Sequence, residues 1–105
     1  MKSCLIIEDQ IDCQHWLKHI VSAAFPDCEI HLAANQTRAR ILITEHSFEL
    51  AIIDLALPDG CGLEIVRALK RIAPQTKSVI MTAMGEDAKI VAALSAGVQG
   101  YLLKE

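Results

Sequence analysis

Five polar side chains in this sequence stand directly behind short runs of mostly aliphatic residues. Glu8 and Asp9 follow Leu5-Ile6-Ile7, and Asp54 follows Leu50-Ala51-Ile52-Ile53. Thr82 follows Ser78-Val79-Ile80-Met81, and Lys104 follows Gly100-Tyr101-Leu102-Leu103. Each of these groups would be costly to bury there without a partner. Three carboxylates brought to one place repel one another, and stay ionised together only if a cation neutralises them. The available ligands are hard oxygens with room for water, which suits Mg²⁺, or Mn²⁺ in its place. A metal, an ammonium and a hydroxyl are together what the three peripheral oxygens of a phosphoryl group need. A carboxylate in such a cluster can be the nucleophile and become an acyl phosphate. Asp54 is the best candidate, because it ends a central strand with no carboxylate beside it.

That chemistry requires the runs to end at one place. Continuous apolar runs suit strands buried on both faces of a parallel sheet, and residues 5–7, 50–53, 79–81 and 102–103 are expected to be such strands. A shorter strand is expected over 29–33, with Ile30 and Leu32 on one side. Between the strands lie helical patterns. Asp12 is expected to cap a helix running to about Phe25, with Cys13, Leu17, Ile20 and Ala24 as its apolar stripe. Trp16 reads as a partly buried packing residue. Asn35 starts a helix to about Glu45, with Ala39, Leu42 and Ile43 inward. Pro58-Asp59-Gly60 and Gly62 mark a loop. Residues 63–71 read as a helix with Ile65, Val66 and Leu69 inward and Arg67, Lys70 and Arg71 solvated. Residues 87–96 form the last helix, closed by Gly97.

Strands and helices thus alternate through one domain spanning residues 1–105. This pattern demands parallel strands, right-handed crossovers and helices on both faces, a doubly wound α/β architecture. In such a sheet the carboxyl ends of the strands open on one crevice, and ligands bind there. The length of 105 residues allows one small domain. Lys+Arg is 10 and Asp+Glu is 13, a net charge of −3, which argues against a nucleic-acid surface on this segment. The hydrophobic fraction of 52% argues against disorder, and the doubly buried strands absorb part of it. No apolar run approaches the ~18 residues of a membrane helix, and the N-terminus turns acidic too soon for a signal peptide. The chain is therefore expected to be cytoplasmic, with no membrane partner. Cys4, Cys13, Cys28 and Cys61 lack C-x-x-C spacing and read as free thiols. His15 and His19, four apart on a helix, lack a third ligand for zinc.

The set Ile7-Glu8-Asp9, Asp54 to Glu64 with its Pro58-Asp59-Gly60 turn, Met81-Thr82-Ala83 and Gly100-Tyr101-Leu102-Leu103-Lys104 resembles the receiver domain of two-component response regulators. The resemblance covers the whole chain, and its motifs fall in order at strand ends. It implies a five-stranded flavodoxin-like sheet in the order 2-1-3-4-5. It implies that Asp54 accepts a phosphoryl group from a phosphohistidine on a sensor histidine kinase or a histidine phosphotransfer protein. Asp9 would bind Mg²⁺ directly, Glu8 largely through water, and the Ala56 backbone carbonyl would be a further ligand alongside Asp54. Lys104 and Thr82 would contact the phosphoryl oxygens, as would the backbone N–H of Ala83. Thr82 would move on phosphorylation, and Tyr101 would be the aromatic that turns inward with it.

The resemblance also carries departures and consequences. Receivers normally continue past the lysine into a fifth helix, and this sequence stops at Glu105, so the sheet face beside the first and fifth strands is expected to lack its usual cover. Self-association into a homodimer, or marginal stability, would follow. Residues 93–105 and 54–64 resemble receivers that control DNA-binding helix-turn-helix domains, so any contact with DNA would run through an output domain outside these residues. Ala56 and Met84 stand where polar groups in relatives orient hydrolytic water, which implies slow self-dephosphorylation. Two other functions compete. An aspartyl phosphohydrolase would carry a second acid two residues after its nucleophile, where this sequence has Ala56. A receiver that only binds a partner would have lost the acceptor, the metal acids or the lysine, and all are present.

Overall fold

The computed structural model describes residues 1–83 and 86–104. In chain order these form β1 (Ser3–Ile7), α1 (Ile11–Ala24), β2 (Glu29–Ala33), α2 (Gln36–Glu45), β3 (Leu50–Asp54), β4 (Ala56–Leu57), β5 (Gly60–Cys61), α3 (Gly62–Ile72), β6 (Lys77–Thr82), α4 (Asp87–Ser95) and β7 (Gly100–Leu103). Five strands make one sheet in the order β2-β1-β3-β6-β7, every pair parallel. This is the expected 2-1-3-4-5 order once the two-residue strands β4 and β5 are set aside. Those two pair with each other as a small antiparallel hairpin inside the segment expected to be a loop.

The aliphatic runs divide between two cores, as alternation across a strand requires. Leu5, Ile7, Ala51, Ile53 and Ile80 pack with Ala39, Leu42 and Ile43 of α2, the inner face of α3 and Ala93 of α4. Cys4, Ile6, Ile52 and Met81 point to the other face and meet Leu17 and Val21 of α1. Helices therefore lie on both faces, three on one and α1 on the other. Ile30 and Leu32 share one side, as expected, and that side is the one α1 covers.

The ends of the helices show how the sequence stops and starts them. Asn35 caps α2, its side chain accepting from the Arg38 N–H at 2.8 Å. Asp59, in the β4–β5 turn, reaches the same helix end and accepts from the Gln36 and Thr37 N–H groups at 2.8 and 3.1 Å. The turn after β3 is thereby fixed to α2. Gly97, at φ +97°, follows α4 in a conformation that disfavours a side chain. Gly62 opens α3 hard against β3: a Cβ there would come within 2.1 Å of the Asp54 carbonyl oxygen. Only glycine lets the helix start so close to the strand end.

Four expectations need correction. Asp12 does not cap α1; Gln10 is the cap residue and Asp12 lies within the first turn. The inner stripe of α1 is Cys13, Leu17 and Val21, at spacings of four, while Ile20 and Ala24 are exposed. The spacing of 13, 17, 20 and 24 fits a helical face equally well, and the sheet selected the neighbouring one. Trp16 projects outward, 55% exposed. Leu102 and Leu103 are not buried on both faces; they lie on the edge strand β7 and are 43% and 56% exposed. Successive side chains leave a strand on opposite faces, and β7 contributes none to either buried core, so both faces stay partly open there.

Candidate functional site

The carboxyl ends of β1, β3, β6 and β7 meet at one edge of the sheet, and the polar residues behind the aliphatic runs come together there. The strand ladder itself sets most of the positions. The Glu8 N–H donates to Ala33 O at 2.9 Å, continuing β1 past its end. The Leu55 N–H donates to Met81 O at 3.1 Å and fixes the turn after Asp54 against β6. The Lys104 N–H donates to Thr82 O at 2.8 Å, so the lysine leaves β7 beside the end of β6.

Glu8, Asp54 and Thr82 are all nearly or fully buried. The Lys104 ammonium joins the first two. Its Nζ lies 2.9 Å from Glu8 Oε2, 3.2 Å from Glu8 Oε1 and 2.9 Å from Asp54 Oδ2. Asp54 Oδ1 accepts from the Ala56 N–H at 3.0 Å, a turn that orients the carboxylate. Glu8 Oε1 accepts from the Gln10 N–H at 3.0 Å, and the Gln14 amide donates to the Glu8 carbonyl. Every oxygen of the two buried carboxylates thus has a named donor, as burial demands.

Charge in the cluster is only partly balanced. Burial raises the Glu8 carboxyl above its ordinary pKa, and the proximity of Asp54 adds to the rise, against the hydrogen bonds from Lys104 and Gln10 that lower it. Burial would lower the Lys104 ammonium, but the hydrogen bonds to Asp54 and Glu8 more than offset it and hold the group above its ordinary value. The ligand atoms of Glu8, Asp9 and Asp54 lie within 4.8 Å of one another, Asp9 being the exposed member. When ionised, three carboxylates less one ammonium leave two negative charges. A divalent cation with oxygen ligands and bound water fits that donor set in charge, chemistry and exposure.

The remaining expected residues take the following places. Thr82 ends β6, buried, with its hydroxyl donating to Glu86 Oε2 at 2.8 Å and contacting Ala83 O at 3.3 Å. Ala83 is exposed at the rim. Ala56 is exposed in β4, two residues after Asp54. Tyr101 lies on β7, 49% exposed, paired in register with Ile80. Met84 lies outside the described residues. His15 and His19 sit on the exposed side of α1, and among the described residues no metal-ligating cluster includes them. The four cysteines are free.

Sequence reasoning missed three participants. Gln10 and Gln14 satisfy Glu8, and Glu86 holds the Thr82 hydroxyl. None carries a pattern that could have shown this. Glutamines after an acidic pair and a glutamate before a helix are common, and only proximity reveals their use.

Residues 4–105 match the family described as "Response regulator receiver domain". The chain is 31% identical over 103 residues to the response regulator protein PilR of Pseudomonas aeruginosa, covering 98% of this chain and 23% of that protein. It therefore spans about a quarter of the length of that relative. Among solved structures it resembles a CheY-like receiver domain protein from Methanospirillum hungatei, with a TM-score of 0.88 and 28% identity over 99% of this chain and 82% of that one. It resembles equally a response regulator from Burkholderia pseudomallei, described with a phosphorylated aspartic acid, a calcium ion and citrate. That match has a TM-score of 0.88 and 25% identity over 99% of this chain and 60% of the other.

Proposed function

This chain belongs to the response regulator receiver domain family, and from that premise we propose that it is a phosphoaspartate switch whose acceptor is Asp54. The observation that carries the proposal is the Lys104 ammonium, held 2.9 Å from both Asp54 and Glu8 on two buried carboxylates. An ammonium so placed neutralises the acceptor in the resting domain and is in reach of a phosphoryl oxygen once one is attached.

The donor is a phosphohistidine on a sensor histidine kinase or a histidine phosphotransfer protein. An Asp54 carboxylate oxygen attacks phosphorus; the O–P bond forms as the P–N bond breaks, and the imidazole leaves with the bonding pair. Lys104 and the Ala56 N–H hold Asp54 still, which replaces an entropic cost by preorganisation. Glu8, Asp9, Asp54 and the Ala56 carbonyl would hold Mg²⁺, which when bound offsets charge on the phosphoryl oxygens. Thr82 and the Ala83 N–H then donate to the product. Ile11 and Trp16, 65% and 55% exposed on α1, give a protein donor an apolar foothold near the acidic cluster. The phosphorylated calcium-bound relative supports the pairing of an acyl phosphate with a divalent ion.

The new dianion biases a surface formed by α4 and β7, with Thr82 and Tyr101 as the moving pair. The segments 54–64 and 93–105 favour transcription, through a DNA-binding domain, as the output. Hydrolytic turnover is disfavoured because Ala56 supplies no second acid.

Intact mass tests the acceptor. Wild type incubated with Mg²⁺ and acetyl phosphate gains one phosphoryl, and Asp54→Asn does not. Uptake by Asp54→Asn, or no uptake by wild type, overturns the assignment; released phosphate on repeated turnover would make the domain a hydrolase.

A further inference from the structure

The Thr82 hydroxyl has one proton, and in this structure it is already in use. It donates to Glu86 Oε2 at 2.8 Å, a charge-assisted bond that holds the Glu86 carboxyl below its ordinary pKa. Glu86 is itself tied down: its Oε1 lies 3.5 Å from Lys89 Nζ. Its backbone carbonyl accepts from the Lys89 and Ile90 N–H groups at 3.0 Å, which makes it the cap residue of α4. The side chain thus links the last residue of β6 to the first turn of α4. Thr82 cannot donate to a phosphoryl oxygen on Asp54 while its hydroxyl hydrogen is engaged by Glu86.

We propose that Glu86 is a positioning residue that keeps the Thr82 hydroxyl engaged until a phosphoryl group competes for it. The proposal deepens the reading of Asp54 as acceptor and rests on it. The exchange needs no other reactant. One O–H···O bond to a carboxylate breaks and one to a phosphoryl oxygen forms, while Glu86 keeps Lys89 as its counter-ion. The release frees the amino end of α4 from β6, so the bond that resists phosphorylation is the same bond that reports it to the helix. An alternative role for Glu86 is purely local, an acid favoured at a helix amino terminus by the helix dipole. The two roles differ in one respect: only the first depends on Thr82.

A double-mutant cycle separates them. Beryllofluoride with Mg²⁺ serves as the probe for the phosphorylated state. Glu86→Ala is expected to raise its apparent affinity about tenfold, equivalent to about 1.4 kcal/mol, and to leave affinity unchanged when Thr82→Ala is already present. Lys89→Ala, which keeps the cap carbonyl and the carboxylate, is expected to give a smaller gain of the same Thr82-dependent kind. No gain, or the same gain in both backgrounds, overturns the proposal. The Thr82 side-chain rotamer, read by NMR couplings without any phosphoryl analogue, gives an independent measure. It is expected to be single in wild type and averaged in Glu86→Ala, and an unchanged rotamer also overturns the proposal. If wild type fails to bind beryllofluoride, the acceptor reading is what has failed, and the rotamer measurement still judges the contact.

Discussion

Lys104 Nζ reaches Glu8 Oε2 at 2.9 Å across 96 positions of sequence, joining the last strand of the sheet to the first of the chain. The same ammonium reaches Asp54 at 2.9 Å, so one cation ties together the ends of three strands. The consequences are electrostatic, and they can be measured.

Removing that cation leaves two buried carboxylates facing each other. Lys104→Ala should cost about 2–3 kcal/mol in metal-free buffer, below the ~3–5 kcal/mol of a fully buried pair because the lysine is partly exposed. Mg²⁺ should restore much of the loss, since a ligand that binds only the folded state stabilises it. Urea unfolding of both proteins with EDTA and with Mg²⁺ decides it. A variant as stable as wild type without metal would show that the pair contributes nothing.

The pH dependence follows from Glu8. Burial first, with Asp54 adding to it, raises its carboxyl above the ordinary 4.5. A folded-state pKa above the unfolded one gives stability that is complete below about 4.5 and is lost as pH rises through the raised value. The metal-free domain should therefore lose this contribution on leaving the acid range, whereas Glu8→Gln, neutral throughout, should not. Asp59, lowered by the Gln36 N–H first, and Glu86, lowered by the Thr82 hydroxyl first, run the other way. Their contributions are present above their ordinary values and vanish as pH falls. The difference between the two unfolding profiles isolates Glu8, and parallel profiles would contradict the assignment.

Cys4 should be inert in the folded domain. Burial, and secondarily Cys28, pushes its thiol up to about 12, leaving about one thiolate in ten thousand at pH 8. Cys13, Cys28 and Cys61 are all partly exposed. Timed maleimide labelling with peptide mapping should modify Cys4 only after denaturant is added. Labelling at the rate of the other three would mean the β1 strand opens readily.

The phosphorylated lifetime should be long. Ala56 sits exposed two residues after Asp54 with a side chain that has no polar atom to orient water, and the Met84 side chain offers none in its sequence place. Installing polar groups, Ala56→Asn with Met84→Glu, should speed decay of the phosphorylated domain by about tenfold or more, up to the ~10²-fold lower end of general acid–base assistance. Equal decay rates would place control of hydrolysis elsewhere.

Much of this architecture was legible in the residues because two simple constraints act on them. Runs such as Leu50 to Ile53 have no polar face and so must be covered on both sides, which means strands inside a parallel sheet. The convergence of Glu8, Asp54, Thr82 and Lys104 then follows from the strands being parallel, whereas the order 2-1-3-4-5 is what the resemblance to receiver domains implies. The α2 boundaries were equally plain, since Asn35 is a cap by its chemistry. Where two faces of one helix were similarly apolar, as in α1, periodicity offered both stripes, and the packing against Met81 and Ile52 chose Val21 over Ile20.

Residue types and spacing specify the set of groups and the end of the sheet where they gather, because aliphatic runs and their polar ends are local properties. Tertiary structure alone decided which acceptor each proton and each ammonium hydrogen meets. Lys104 between Glu8 and Asp54, Gln10 beneath Glu8, Asp59 on the end of α2 and Glu86 on Thr82 are all contacts between distinct elements or across a turn. A hydrogen bond depends on tenths of an ångström and on direction, and neither is encoded in residue type or spacing.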